Sequence, residues 1–556
     1  MPDRKRCRFR LLSALVLLGL GLTALLPAGC GGGESATEAA SAEQILLINL
    51  GGAPRALDPH VTTGIIESKI HYALFEGLVN PGPDLEPLPG VAERWDTSPD
   101  GLTWTFHLRP DAKWSNGDRL TARDVVFAYQ RILTPTLASE YASMLDVIDG
   151  AFEFRNGEET DFSQVGVKAL DEHTLEVRLA NPAPHFITML FHHVFYPVPE
   201  KVVRAHGNPF LPDNTWASND SHVGNGPFKL KRWAQNDSVE VETNPHYWDP
   251  DNVPLKGIRF FFIDSQTNEE RIFRDGGLHV TQSIPPERID RYRRNQPDIF
   301  REHDSLSLYY YGLNVEVAPL DDVRVREALN LAVDRQALVT HVTKGGQEPA
   351  YRLVPYAMPG YRSDHRTAGP DLQANIRRAQ RLLADAGFPN GEGFPQLDIL
   401  YNESDVHRDM AEAIQRMWAE NLGIESIGLL NRAWPAYLQA RREGNYDIMR
   451  AGWLADFVDP SNFLEIFKSD SGLNHSNWGS EYFDQSLASA LREREIDRRM
   501  LLYSHAEKEL VQEMAFIPLF FQKHIYLVDA SVQGWNMNVL DIRNYKGISI
   551  VAEPDA

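Results

Sequence analysis

Cysteine is almost missing from this sequence: 556 residues contain two, Cys7 and Cys30, and both fall within the first thirty positions. The body of the chain can therefore form no disulfide and must rely on its core. Basic residues are in deficit too. With 55 Lys and Arg against 77 Asp and Glu, the formal net charge is −22, which argues against nucleic acid as a main partner. The common catalytic signatures are absent: there is no HExxH, no GxSxG, no GxxxxGK[ST], and no GxGxxG set between strand and helix. His192-His193 comes nearest to a metal pair, but read as strand residues the two point to opposite faces. Asp249-Pro250-Asp251-Asn252 lacks the spaced oxygen ligands and closing glutamate of a calcium loop and reads as a turn. No catalytic residue, metal ligand or cofactor is expected.

What is present describes a large extracytoplasmic protein. An apolar fraction of 43% with 24% charged residues is ordinary for a globular chain, and this length calls for at least two lobes. Arg4, Lys5, Arg6, Arg8 and Arg10 precede an uncharged apolar run over 11–26, the n- and h-regions of a secretory signal, slightly short for a membrane span. Leu26-Pro27-Ala28-Gly29-Cys30 resembles a bacterial lipoprotein cleavage box, with Pro27 where an aliphatic residue is usual. The resemblance implies a signal peptide over 1–29 and lipidation of Cys30. Residues 30–43, rich in Gly, Ser, Ala and Glu, read as a flexible tether. Contact with the membrane is expected through the lipid anchor alone.

The first half reads as short strands and turns with occasional helices. Residues 102–108 (LTWTFHL) alternate after a Pro99-Asp100-Gly101 turn, 171–179 (DEHTLEVRL) alternate likewise, and 121–132 reads as a helix capped by Thr121. The second half changes character. A helix over 374–386 is followed by a strand at 397–402 and a helix at 406–422. That second helix puts Met410, Ile414, Met417 and Trp418 on one stripe and stops at Gly423. A strand at 424–430, a helix at 434–442 and a strand at 446–452 complete a β-α-β-α-β series, the signature of an α/β lobe with a largely parallel sheet. A second, more β-rich lobe is expected beside it.

Several stretches, in order along residues 45–550, carry a family resemblance. They are Leu57-Asp58-Pro59-His60, Leu74-Phe75-Glu76-Gly77-Leu78, and the run from Gly90-Val91-Ala92-Glu93 through Trp104-Thr105-Phe106-His107-Leu108-Arg109 to Ala112-Lys113-Trp114-Ser115-Asn116-Gly117. Further on come Gly226-Pro227-Phe228, Asn244-Pro245-His246-Tyr247-Trp248, Asp322-Val323-Arg324-Val325-Arg326, and Arg450-Ala451-Gly452-Trp453-Leu454-Ala455-Asp456. Together they resemble the peptide-binding branch of the ABC-importer solute-binding proteins, family 5. The resemblance implies an α/β, two-lobed, hinged periplasmic-binding-protein-like fold with an inserted α+β domain. Lobe I would comprise 44–79, 200–308 and 525–556, the inserted domain 80–199 and lobe II 309–524, with hinge crossings near Leu308 and Gln522.

The resemblance also implies a site. An extended peptide would pair main chain to main chain with strands at 67–69 (Glu67 to Lys69) and 450–454, the latter including Gly452, Trp453 and Leu454. Asp456 would take the peptide α-amino group. It also follows a predicted strand directly, the position where α/β sheets present function. Arg441, Arg450 and His407 would approach the carboxylate end, Lys344 would be a further cation, and Tyr141, Trp434, Trp453 and the Tyr309-Tyr310-Tyr311 run would line the cavity. The implied partners are short peptides and an ABC permease, the implied state a monomer. Dipeptides, cell-wall peptides, a non-peptide solute or a sensing role are the alternatives.

Overall fold

Strand alternation and helix stop signals build most of the architecture. The computed structural model describes residues 35–551, so the expected signal peptide, Cys30 and the start of the tether lie outside the described residues. In the first half, Ala92–Thr97, Thr103–Leu108, Thr174–Arg178 and Val167–Ala169 form one antiparallel sheet in that order. Trp104, Phe106, Leu108, Leu175 and Val177 fill its covered face. Helix Ala122–Leu133 begins where expected, with the Thr121 N–H donating to Asp124 Oδ2 at 2.8 Å. A second sheet orders Ile45–Asn49, Gly257–Phe261, Ser238–Thr243 and Phe228–Ala234; only its first pair is parallel.

The second half carries a six-stranded mixed sheet, ordered Glu348–Pro349, Phe516–Leu527, Phe300–Leu313, Ile448–Leu454, Leu397–Asn402, Ile427–Arg432. Leu397–Asn402 is parallel to both Ile427–Arg432 and Ile448–Leu454, with helices Asp405–Leu422 and Trp434–Arg442 as the crossovers. Met410, Ile414 and Trp418 are buried, Met417 partly so, and Gly423 ends the helix at φ 71°. The two long strands Phe300–Leu313 and Phe516–Leu527 pair antiparallel, with a register break between Asp304 and Leu308. Beyond that break they run toward the other sheet, where Val280 bridges both Ile48 and Val528.

Part of the segment expected to be a flexible tether is helical. Ala36–Ala42 is a helix, opened by a reciprocal Ser35–Glu38 capping box and docked on the body through Thr37 N–H to Gly276 O (2.8 Å) and Ser41 Oγ near His279 Nε2 (3.1 Å). An Ala- and Glu-rich run behind Ser-x-x-Glu has the propensity to do this, and composition alone hid it. No helix among the described residues is long and apolar enough to cross a membrane.

A buried ion pair fixes helix Ala122–Leu133 to the loop after the first strand. Asp58 receives Arg131 Nη1 at 2.9 Å and Nη2 at 2.6 Å, the Trp216 indole N–H at 2.8 Å and the His60 N–H at 3.0 Å. Burial pushes the Asp58 carboxyl up, but Arg131 and these hydrogen bonds outweigh it and hold it below its usual range. Asp58→Ala leaves Arg131 buried without its anion and is expected to lower unfolding free energy by about 3–5 kcal/mol. Denaturant titration measures this, and a loss below about 1 kcal/mol would contradict the account.

Candidate functional site

Strand Ile448–Leu454 has one edge left open. Its register with Phe300–Leu313, together with the Ala455 N–H to Leu306 O bond at 2.8 Å, makes residues 451 and 453 the ones hydrogen-bonded to that neighbour. The N–H and C=O groups of Gly452 and Leu454 therefore face the opposite edge. Leu397–Asn402 covers that edge only at Ile448 and Met449. The Tyr437 hydroxyl donates to the Arg450 carbonyl, closing the covered part. Gly452 is exposed and Leu454 half-buried, so a row of main-chain groups stands ready to pair with an added strand.

The loop just past this strand presents Asp456. Asn462 shapes it, its Oδ1 accepting the Asp456 N–H at 3.1 Å and the Trp453 indole N–H at 3.0 Å. The Asp456 side chain is only 14% exposed and accepts from the Tyr141 hydroxyl at 3.3 Å. No lysine or arginine lies within 4.0 Å of it among the described residues, and its nearest basic group is His192 Nε2 at 3.7 Å. Burial, and then the adjacent His193, drives the His192 pKa far down, so it offers no charge. Burial in turn raises the Asp456 carboxyl from 3.8 to about 7, against the lowering hydrogen bonds of Asn462 and Tyr141. The result is an enclosed acid without a counter-charge.

His192 and His193 were not among the expected site residues, and they are not strand residues. His193–Phe195 is a 3₁₀ turn that His192 begins, and the two rings lie 4.2 Å apart instead of on opposite faces. Their neighbourhood also corrects the first peptide-pairing segment. Glu67 to Lys69 lie in helix Ile65–Leu74, whose buried side includes Ile70, His71, Ala73 and Leu74. The Glu67 carboxylate accepts the Arg55 N–H at 2.7 Å, and Lys69 Nζ donates to Gln282 Oε1 at 2.7 Å. The extended backbone here is at Gly64, just ahead of the helix, with φ −89° and ψ 148°. His193 Nε2 sits 3.2 Å from the Thr62 carbonyl, which brings this segment beside the His192–Asp456 corner.

The basic candidates gather elsewhere on the same strand and its neighbours. Arg450 lies over the Tyr309 ring at 4.9 Å, with Nη1 3.5 Å from Asn402 Oδ1. Arg441 lies over Tyr437 at 5.9 Å. Neither has a carboxylate within 4.0 Å among the described residues, and the Nε of each is buried without a partner. His407 Nδ1 meets the Tyr309 hydroxyl at 3.1 Å, and burial followed by the Arg450 charge lowers its pKa to about 3. Trp434 is 41% exposed and stacks on Tyr437 at 5.4 Å. Tyr310 and Tyr311 are core residues. Lys344 does not join this group: it is exposed in the turn after the helix Leu338–Thr343, with no hydrogen bond or ion pair to the others.

Comparison with known proteins identifies the family of the chain as a whole. The model of the bacterial extracellular solute-binding proteins, family 5 (middle region), covers residues 86–475. The periplasmic oligopeptide-binding protein of Salmonella typhimurium is 35% identical over 540 residues, 94% of each chain. The Haemophilus influenzae oligopeptide-binding protein in complex with the peptide RPPGFSPFR is similar at a TM-score of 0.82 and 32% identity, covering 92% of this chain and 99% of that one. The murein tripeptide-binding protein of Escherichia coli gives 0.82 at 31% identity (91% and 98% covered), but 0.72 in its unliganded open form (91% and 97% covered). The arrangement of this chain is thus nearer to the peptide complex than to the open form.

The Asp456 carboxyl makes stability depend on pH in an unusual direction. Between about pH 4 and pH 7 it is ionised in the unfolded chain and protonated in the folded one, so the folded state binds the extra proton and stability falls as pH rises. A shift of this size corresponds to about 4 kcal/mol. Asp456→Asn removes the effect, so the variant is expected to gain stability relative to the parent between pH 5 and pH 8 without ligand. Denaturant unfolding at both pH values checks it; a difference that ignores pH would contradict the reading.

Proposed function

Because this chain belongs to family 5 of the bacterial extracellular solute-binding proteins, we propose that it captures short oligopeptides with free termini for an ABC importer and delivers them to the membrane permease. The observation that carries this reading is the buried Asp456 carboxyl, which has no lysine or arginine partner among the described residues. A peptide α-ammonium supplies the missing charge. Gly452 and Leu454 then pair with the peptide main chain, which is the same whatever its side chains. Arg441 and Arg450, which hold no carboxylate, receive the far terminus, with His407 and Tyr309 beside them and Trp434 at the rim. Trp453 positions the Asp456 loop through Asn462.

Capture works by closure. We take 44–79, 200–308 and 525–556 as one lobe, 80–199 as an inserted domain and 309–524 as the other lobe, hinged near Leu308 and Gln522. Tyr141 and His192 then belong to the inserted domain and Asp456 to the facing lobe, so an amine held at Asp456 is met from both parts. A ligand that bridges them shifts the population toward the closed form, the one a permease would recognise. The receptor performs no chemistry of its own. It acts as a monomer, held at the membrane by lipid on Cys30.

Calorimetry with a free tripeptide, its N-acetylated twin and its C-amidated twin tests the assignment on a chain starting at Ser35. Loss of the amine partner, by acetylation or by Asp456→Asn, is expected to cost about 2–5 kcal/mol of binding, and amidation about 1.5–3 kcal/mol. Mass spectrometry should return the peptide intact. Equal binding of the free and acetylated peptides would defeat the amine-anchor role of Asp456, and no binding from a mixed peptide pool would defeat peptide capture itself.

A further inference from the structure

A second polar cluster shares no residue with those assigned to peptide. His303 and His524 stand directly opposite each other on the paired strands Phe300–Leu313 and Phe516–Leu527, their rings 4.9 Å apart. Asp541, from the C-terminal loop, brings its Oδ2 to 3.8 Å from His524 Nδ1. One donor atom from each of the three residues falls within 4.8 Å of the other two. Both ring nitrogens of His303 and Nε2 of His524 are buried with no hydrogen-bond partner among the described residues. Buried polar atoms are rarely left so, and each such case calls for an occupant.

The competing charges are specific. Arg543 Nη2 holds Asp541 Oδ1, while Lys69 Nζ lies 3.1 Å from Oδ2, the oxygen on the histidine side. Lys69 also donates to Gln282 Oε1 at 2.7 Å, so its ammonium keeps a partner if it gives up the carboxylate. Two imidazoles and one carboxylate oxygen suit a borderline dication better than calcium or magnesium, which prefer oxygen ligands. We propose that His303, His524 and Asp541 Oδ2 form a zinc(II) site that ties the two long strands to the C-terminal loop, with Lys69 as the cation that metal displaces. Zinc bonds of about 2.0–2.1 Å require the three side chains to draw in by roughly an ångström, and water completes the shell.

The test uses chelator-stripped, untagged protein starting at Ser35, titrated with zinc(II) against a chromogenic chelator at pH 7. One equivalent with micromolar or tighter affinity is expected, weakened at least about tenfold by His303→Asn and by His524→Gln. Lys69→Met should tighten binding, because it removes the competitor for Asp541, an effect that adventitious surface binding would not give. Cobalt(II) in the unsubstituted protein should show the strong visible bands of a four- or five-coordinate site. Should the histidine variants fail to fold, the Lys69→Met titration and the cobalt spectrum still decide. Absence of stoichiometric binding, or zinc affinity unchanged by Lys69→Met and by both histidine variants, overturns the proposal.

Discussion

The site depends on a carboxyl group removed from water with no lysine or arginine beside it among the described residues. Asp456 is enclosed by Tyr141, His192 and its own loop, and its pKa is raised to about 7 by burial. Its neighbours could have neutralised it and do not: His192 is itself too buried to carry charge. The cost is met by the rest of the fold, by a large continuous core and by saturated pairs such as Asp58 with Arg131. What remains is a preformed demand for a positive charge that has to arrive from outside.

The opposite end of the strand shows the complementary imbalance. Arg441 and Arg450 rest against the faces of Tyr437 and Tyr309 instead of against carboxylates. Aromatic faces orient a guanidinium while leaving its donors available. Between the uncompensated acid and the uncompensated bases runs an open strand edge at Gly452 and Leu454. An acid at one place, bases at another and main-chain groups between them correspond to the constant features of a peptide and to none of its variable ones.

Much of the second half was legible from sequence because local signals there agree with one another. Strand 397–402 and helix 434–442 were bounded as observed, and Gly423 marked the stop of the helix before it, so the parallel series followed from periodicity alone. The strand at 424–430 was placed too early: pairing starts only at Ile427. Glu67 failed for a different reason. Family resemblance puts it in a strand, whereas the buried spacing of Ile70, Ala73 and Leu74 is helical. His192 could not have been found locally. Its importance lies in meeting Asp456 across a long sequence separation, and a 3₁₀ turn leaves no periodic trace. Asp456, by contrast, stands out only through the resemblance carried by Arg450-Ala451-Gly452-Trp453-Leu454-Ala455-Asp456; its spacing after the strand reads equally as a solvated loop acid.

If Asp456 is the group that receives the peptide amine, binding must expel its proton. The most direct measurement is calorimetric titration of a free tripeptide at pH 6 in buffers of different ionisation enthalpy, which counts protons exchanged on binding. With Asp456 protonated in the free receptor and ionised against an ammonium in the complex, the account predicts release of close to one proton, absent in Asp456→Asn. Tight binding with no proton release would mean that the amine is held by some other group, and the central claim would fall.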